Sequence, residues 1–227
     1  EGDRVEANGR KVYAKWIANP YTVYYNANGG HGSIPPQAVE YDQTFRLSPN
    51  TFTRTGYTFL NWNTYPDAVG GKTFTDGQEV VNLAGTSSNR DRVTLYAQWS
   101  ANAYTIRYDA NGGQGRVDDT PAVYDQPAVL AGNQFTRQDA VFSGWSLTAG
   151  EGNPKDYAPG DSVRNLTAEN QGVVTLYAVW RSHAEIQQQY QDQLTDFFRA
   201  FQTNSYYPED WASLQSIRHV ASETVAE

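Results

Sequence analysis

Apolar and polar residues alternate along several short segments of the chain, as they do in strands that bury one face. The clearest segment is VTLYAQW at 93–99, where every second side chain is apolar and would share one face: Val93, Leu95, Ala97 and Trp99. Two further segments, 22–25 and 105–108, are rich in β-branched and aromatic residues and lead into Asn-Gly-Gly, a turn sequence. The pattern therefore predicts a chain built mainly of β-strands.

These segments belong to a unit that the sequence repeats. YTVYYNANGG at 21–30 returns 83 residues later as YTIRYDANGG, and NTFTRTGYTFLNW at 50–62 returns as NQFTRQDAVFSGW. The closing VTLYAQW returns as VTLYAVW at 174–180, and GRKVYAKW at 9–16 matches the same closing segment. The sequence therefore contains two complete repeats and the end of a third.

The repeat sets the predicted domain boundaries. We expect repeats at 21–99 and 104–180, a linker at 100–103, and the end of a preceding repeat with its linker at 1–20. A linker of this length reaches only ~14 Å, and so we expect the repeats to form a semi-rigid rod. Because a lone strand leaves its backbone groups unpaired, Gly9–Trp16 should be packed on the first full repeat or paired with a neighbouring strand.

Taken in order, three motifs resemble the Listeria–Bacteroides repeat: Y-T-V-x-Y-x-A-N-G-G, R-T-G-Y-T-F-L-N-W and V-T-L-Y-A-Q-W. The resemblance implies a β-grasp-like domain, found in tandem on bacterial surface proteins and secreted enzymes, with no known catalytic residues. In the second copy Asp139 and Ala140 stand where the first has Gly56 and Tyr57. This change leaves open whether the two copies share one surface.

The composition changes after Trp180. Six apolar residues fall at helical spacing on one stripe: Ile186, Tyr190, Leu194, Phe197, Phe198 and Phe201. A second stripe follows Pro208, which suits the first turn of a helix: Trp211, Leu214, Ile217 and Ala221. These stripes predict a helical hairpin over 181–227, and YYPEDWASLQ resembles the FIVAR-type helical module of Gram-positive surface proteins. The predicted fold class is mainly β with α, tandem β-grasp-like repeats followed by this hairpin.

Composition and charge exclude several classes of function. The 227 residues carry a net charge of −8, which does not suit binding to nucleic acid or to anionic membranes. No segment approaches the ~18 apolar residues of a membrane span. The absence of cysteine excludes disulfides and thiolate chemistry. Because the sequence has neither methionine nor a signal peptide, we expect it to be part of a longer protein.

Candidate catalytic chemistry is weak. His31, His183 and His219 do not recur at the repeat offset and have no second ligand at metal spacing. No phosphate-binding motif follows the repeated glycines, and no catalytic triad can be proposed from spacing. We therefore predict no catalytic, cofactor-binding or metal-binding residues and no cofactor, and we expect the chain not to be an enzyme.

Two pairs of charged residues recur in both copies. Asp42 and Asp125 correspond, as do Arg54 and Arg137, and each carboxylate and guanidinium would form an ion pair within its repeat or be solvated. Lys72 and Lys155 also correspond. Each would be crosslinked to an asparagine beside a buried acid or would be an exposed loop lysine, and we favour the loop lysine because lysine is rarely buried unpaired.

The repeated tryptophans allow two interpretations. Trp62, Trp145, Trp99 and Trp180 would form a stacking platform for sugar rings, or they would be structural. We favour the structural interpretation, with Trp62 and Trp145 in the core. The others, with Trp16, would seal the joints between repeats.

Two hypotheses on function follow. The first is a non-catalytic extracellular region of a bacterial surface protein, a semi-rigid stalk or spacer that also serves as an adhesion module. The alternative is a glycan-binding accessory region of a secreted carbohydrate-active enzyme. The expected partners are host or cell-surface glycans or proteins, the expected state is a monomer, and the expected location is the cell wall or the medium.

Overall fold

The computed structural model describes residues 5–7, 10–84 and 91–202, and the chain divides into two compact units. The first ends at Asn102 and also includes Ala168–Asn170, and the second contains the remaining described residues between Ala103 and Gln202. Ahead of the first unit's sheet, β1 (Val5–Ala7) and β2 (Arg10–Val12) pair in antiparallel fashion.

Besides β1 and β2, the described part of the first unit has seven strands: β3 (Pro20–Asn26), β4 (Gln37–Glu40), β5 (Phe45–Arg46), β6 (Tyr57–Asn63), β7 (Thr73–Phe74), β8 (Glu79–Val80) and β9 (Arg92–Ala101). Its main sheet has the order β4-β3-β9-β6-β7, and β5 pairs with β8 in a small second sheet. The first strand and the last strand, β3 and β9, are parallel neighbours, whereas all other pairs are antiparallel.

The second unit repeats this plan with six strands: β10 (Ala103–Asp109), β11 (Thr120–Val123), β12 (Ala128–Val129), β13 (Ala140–Ser146), β14 (Ser162–Val163) and β15 (Gly172–Ser182). Its main sheet has the order β11-β10-β15-β13, again with the first and last strands parallel. We call the pairings β3–β9 and β10–β15 the parallel seams. A sheet whose first and last strands lie side by side at its centre is the β-grasp arrangement, and the predicted mainly β class is confirmed.

A β-bulge sets the direction of one core tryptophan in each unit. The register shifts between Phe59 and Asn61 on β6 and at the corresponding place on β13. The extra residue in the bulge allows Phe59 and Trp62 to face the same core, with ring centroids 5.0 Å apart. Trp62 and Trp145 are completely buried, and so the prediction that they are core residues is confirmed.

The repeated Asn-Gly-Gly phrase is scaffold. Asn28 and Gly29 both have positive φ angles, and the Gly30 N–H donates to the Ala27 carbonyl at 3.0 Å, which closes a tight turn. The side-chain amide of Asn28 donates to the carbonyl of Ala97 on β9 at 2.9 Å. Asn111 in the second unit makes the equivalent bond at 2.9 Å. The turn therefore fastens the first strand of each unit to its last strand.

The second glycine of the phrase makes room for the closing tryptophan. A Cβ atom on Gly30 would lie 2.8 Å from Cζ2 of Trp99, and one on Gly113 would lie 2.5 Å from Cζ2 of Trp180. The indole N–H of Trp99 donates to the carbonyl of Ala27 at 2.8 Å. Each closing tryptophan thus packs on the turn of its own unit.

The segment Gly9–Trp16 departs in part from its prediction. Residues Arg10–Val12 are paired with a neighbouring strand, but Tyr13 and Trp16 are 78% and 83% exposed. The expected pairing with a neighbouring strand is therefore confirmed, whereas the expectation that Trp16 seals a joint is wrong. Trp99 and Trp180, by contrast, each donate an indole hydrogen bond to the turn of their own unit.

A single described helix, α1 (His183–Gln202), follows β15 directly. Its start is a capping box, in which the Glu185 N–H donates to Ser182 Oγ and the Glu185 carboxylate accepts from the Ser182 N–H at 2.7 Å. The second helix of the predicted hairpin and the FIVAR-like segment lie outside the described residues.

Substituting Gly113 tests the close packing of Trp180. We expect Gly113→Ala to destabilise the second unit by roughly 1–3 kcal/mol, because the new methyl group would overlap the indole. Thermal unfolding should show one lowered transition. Gly132→Ala is the matched control, since no atom lies within 4 Å of its Cβ position. Equal effects of the two substitutions would contradict this account of the turn.

Candidate interaction surface

The outer face of the first unit's main sheet carries polar and aromatic side chains. Along β9, Thr94, Tyr96 and Gln98 point away from the core, since the residues between them are buried. Tyr24 lies beside Thr94 on the neighbouring strand, and the guanidinium of Arg92 is stacked over its ring at 4.1 Å from the centroid. We call these five residues the tyrosine face.

A loop after β6 borders the tyrosine face. Tyr65 in this loop is 53% exposed, and its carbonyl accepts a hydrogen bond from the Gln98 amide at 3.1 Å. The loop is held by Asn63, which is buried and accepts from the Tyr65 N–H at 2.8 Å. Tyrosine, arginine and amide side chains together offer flat apolar area with hydrogen-bonding groups at its edge.

The corresponding face of the second unit has different chemistry. Arg107 takes the place of Tyr24 and forms an ion pair with Asp119 at 3.6 Å. Val179 takes the place of Gln98 and is buried. The two units therefore present different outer faces. Asp139 and Ala140, which stand where the first copy has Gly56 and Tyr57, are a further difference elsewhere.

A groove of about 650 Å³ lies in the second unit between α1 and the loop that contains Lys155. Two pairs of its polar side chains bond to each other. Arg181 donates to the Gln189 side chain at 2.6 Å, and Gln188 donates to Asp192 at 2.9 Å. The first of these bonds joins the end of β15 to the first half of α1.

The repeated tryptophans do not form an exposed platform. Trp62 and Trp145 are buried, and Trp99 and Trp180 are partly buried with their indole N–H groups bonded to carbonyls of their own turns. Buried tryptophans favour the structural interpretation over the sugar-stacking one. Of the core pair, only Trp145 donates from its indole nitrogen, to the Ala131 carbonyl at 3.2 Å, and Trp62 Nε1 has no partner among the described residues.

The repeated charged residues are not arranged as aspartate–arginine pairs. The side-chain amide of Asn82 donates to Asp42 Oδ1 at 2.8 Å, and the Asp42 N–H donates back to Asn82 Oδ1 at 2.6 Å. Asp125 and Asn165 repeat this pair with the same distances. Both aspartates have positive φ angles, so this exchange of bonds fixes a turn.

Each arginine has a partner of its own. Arg54 lies over the ring of Tyr57 at 3.8 Å from the centroid, and Arg137 forms an ion pair with Glu151. Of the two alternatives left open by the sequence, an aspartate–arginine ion pair or solvated charges, the ion pair is not what the structure shows, because each aspartate is bonded to an asparagine. Because the second unit has Ala140 in place of Tyr57, its arginine has no ring there and bonds to an acid instead.

The remaining candidate residues lie apart. Lys72 and Lys155 are both exposed, as expected of loop lysines. His31 is exposed on a single β-bridge and His183 begins α1, whereas His219 lies outside the described residues. Within the described ranges, no three His, Asp or Glu side chains are grouped so that they could hold a metal ion. The described helix is not long and apolar enough to cross a membrane.

Burial shifts the pKa of two tyrosines in the first unit. Loss of solvent around Tyr25 raises the pKa of its hydroxyl, although a hydrogen bond from the Ser48 N–H at 2.9 Å opposes the shift. Burial raises the pKa of Tyr21 in the same way, against a bond from the Leu83 N–H. Both hydroxyls act as acceptors for loop backbone, which is a structural role.

Several structural residues were not identified from the sequence. The partners of Asp42 and Asp125, the anchoring role of Asn28 and the capping box at Ser182 all emerged from the structure. A signal existed for two of them. Asn82 and Asn165 recur at the same offset as the aspartates, and Ser182 precedes Glu185 by three residues, which is the spacing of a capping box.

Comparison with known proteins points to one family. A family model described as the Listeria-Bacteroides repeat domain matches residues 21–98 and 104–179. These are the two repeats that the internal motifs define.

Three relatives show the same likeness over longer stretches. A protein of Evansella cellulosilytica named as a Gly-rich membrane protein is 31% identical over 147 residues, which are 61% of this chain and 15% of that protein. A second protein of that organism, named as a membrane protein, is 28% identical over 74% of this chain and 22% of its own length. Internalin H of Listeria monocytogenes is 26% identical over 71% of this chain and 25% of its own. The chain therefore spans a quarter or less of each of these relatives.

The capping box at α1 makes helix stability depend on pH. Hydrogen bonds from the Ser182 backbone and side chain lower the pKa of Glu185 from its ordinary 4.5. A lowered pKa in the folded state means that the contribution is present above pH 4.5 and is lost as pH falls through the folded value. We expect acid to loosen the first turn of α1, seen as lower protection of the Glu185 amide, that is, faster exchange relative to the intrinsic rate at the same pH. In Glu185→Gln, which does not titrate, this change should be absent, and an identical pH response would contradict the assignment.

Proposed function

The chain belongs to the Listeria-Bacteroides repeat domain family, and from this membership we propose that it is a non-catalytic spacer in a bacterial surface protein. The spacer is semi-rigid. It consists of two folded units in one chain, and it separates the parts of a longer protein that lie on either side. The proposal places this region outside the cell, in a protein attached to the wall or released.

The observation that carries the proposal is the shortness of the connection between the units. Strand β9 ends at Ala101 and β10 begins at Ala103, so that Asn102 alone lies between two strands. Asn102 is buried, its N–H donates to the Gly56 carbonyl at 2.8 Å, and its side chain accepts from the Thr58 hydroxyl at 2.7 Å. A connecting residue fixed in this way gives little freedom to the chain on either side.

The names of the relatives support an extracellular setting. Two are named as membrane proteins and the third is an internalin, and each is at least four times as long as the matched part. Repeats that occupy a small part of a long surface protein suit a spacing role. In our proposal, this region takes no part in whatever the remainder of such a protein binds or catalyses.

Adhesion is a second candidate role, and the tyrosine face is the observation that favours it. Its half-buried rings and amide and its exposed guanidinium suit host or cell-surface glycans or proteins. The same face would serve the alternative of a glycan-binding accessory region. The burial of the repeated tryptophans removes the main sugar-stacking candidate, and so spacing remains the better supported function.

A distance measurement between the units tests the spacer. Because the chain has no cysteine, nitroxide labels react only with the cysteines that Lys72→Cys and Lys155→Cys introduce. These are two exposed positions in corresponding loops. We expect one narrow distance distribution by pulsed electron resonance. The physical reason is that a connection of one fixed residue cannot sample many geometries.

The matched control carries the same labels and a flexible Gly-Ser insertion of about eight residues after Asn102. This variant should give a broad distribution of label distances. The unfolding temperature of each unit should stay unchanged. If the natural chain gave a distribution as broad as the control, the units would be freely hinged and the spacer proposal would be wrong.

A further inference from the structure

The position of the chain ends within each unit has a mechanical consequence. The chain enters the first unit through β3 and leaves it through β9, and these strands are parallel neighbours over Thr22–Asn26 and Arg92–Tyr96. Tension along the chain pulls β3 towards its N-terminus and β9 towards its C-terminus. Because the strands are parallel, these pulls slide one strand along the other, and the hydrogen bonds of the seam are strained together.

The seam is also protected from water. Val23 on β3 and Leu95 and Ala97 on β9 are fully buried, and β4 and β6 cover the two outer edges of the pair. In the second unit the equivalent residues are Ile106, Leu176 and Ala178, all fully buried. Water therefore cannot replace the seam's hydrogen bonds one at a time, as it can at an exposed edge.

Side-chain bonds extend each seam beyond the strand ladder. Asn28 bonds to the Ala97 carbonyl, and Trp99 bonds to the Ala27 carbonyl, so two bonds join the end of β3 to β9. Asn111 and Trp180 repeat both bonds in the second unit. Sliding the strands apart would break these bonds at the same time as the ladder.

We propose that each unit is a shear clamp, in which the parallel seam resists tension transmitted along a surface protein. The proposal rests on the proposed function, since a spacer between a cell and its partner is pulled at its ends. The intervening strands β4 to β8 carry no tension until the seam fails. The repeated phrases at the start and end of each unit are then the two halves of one clamp.

Single-molecule force measurement on the full chain, held at its two termini, tests the clamp. We expect two abrupt unfolding events, each releasing ~27 nm, the extended length of about 80 residues. Asn28→Ala should lower the force of one event and leave the other unchanged. Asp42→Ala is the matched control, because it removes a bonded side chain that lies off the seam, and it should leave both forces unchanged.

Either of two results would overturn the clamp. One is gradual extension in small steps, and the other is a lower force in Asp42→Ala but not in Asn28→Ala. The distance measurement described above does not depend on this outcome. A narrow label distance together with weak, gradual unfolding would reject the clamp and retain the spacer.

Discussion

The parallel pairing of the first and last strands is the contact on which each unit depends. Parallel neighbours cannot be joined by a tight turn, so the whole of the intervening chain serves as their crossover connection. In the first unit the pairing begins at Thr22 and Arg92, which are separated by nearly the entire repeat. The sheet, the bulge and the core tryptophan are all assembled around a strand that the chain reaches last.

Several residues that the two repeats share serve this pairing, whereas the outer faces of their sheets differ. Asn28 and Gly30 recur because one fastens the turn to the last strand and the other admits the tryptophan. Asp42 recurs with Asn82 because their exchange of hydrogen bonds fixes a turn in the crossover. By contrast, Tyr24 becomes Arg107, which changes only the chemistry of the outer face. One scaffold therefore supports two different surfaces.

The sequence was sufficient to predict the strands, the repeat and the core tryptophans. It was not sufficient to predict which side chains contact one another. Alternation along 93–99 identifies the buried face of a strand because side chains point to opposite sides in turn. The same alternation does not say what covers that face, which is why the packing expected for Trp16 was wrong. It also could not distinguish an arginine from an asparagine as the partner of Asp42, since both residues recur at the offset of the aspartate.

The outer face was the least predictable part, because its chemistry arises from residues that are distant in sequence. Tyr24 and Arg92 are 68 residues apart and become neighbours only through the parallel seam. The seam thus has two consequences that need not agree. It sets how each unit responds to tension, through bonds that recur in both copies, and it assembles a surface that differs between them. A spacer needs the response to tension in every unit, and it needs a particular outer surface in none. The divergence of the outer faces is therefore compatible with spacing, whereas a stacking function shared by both units would have required the faces to remain alike.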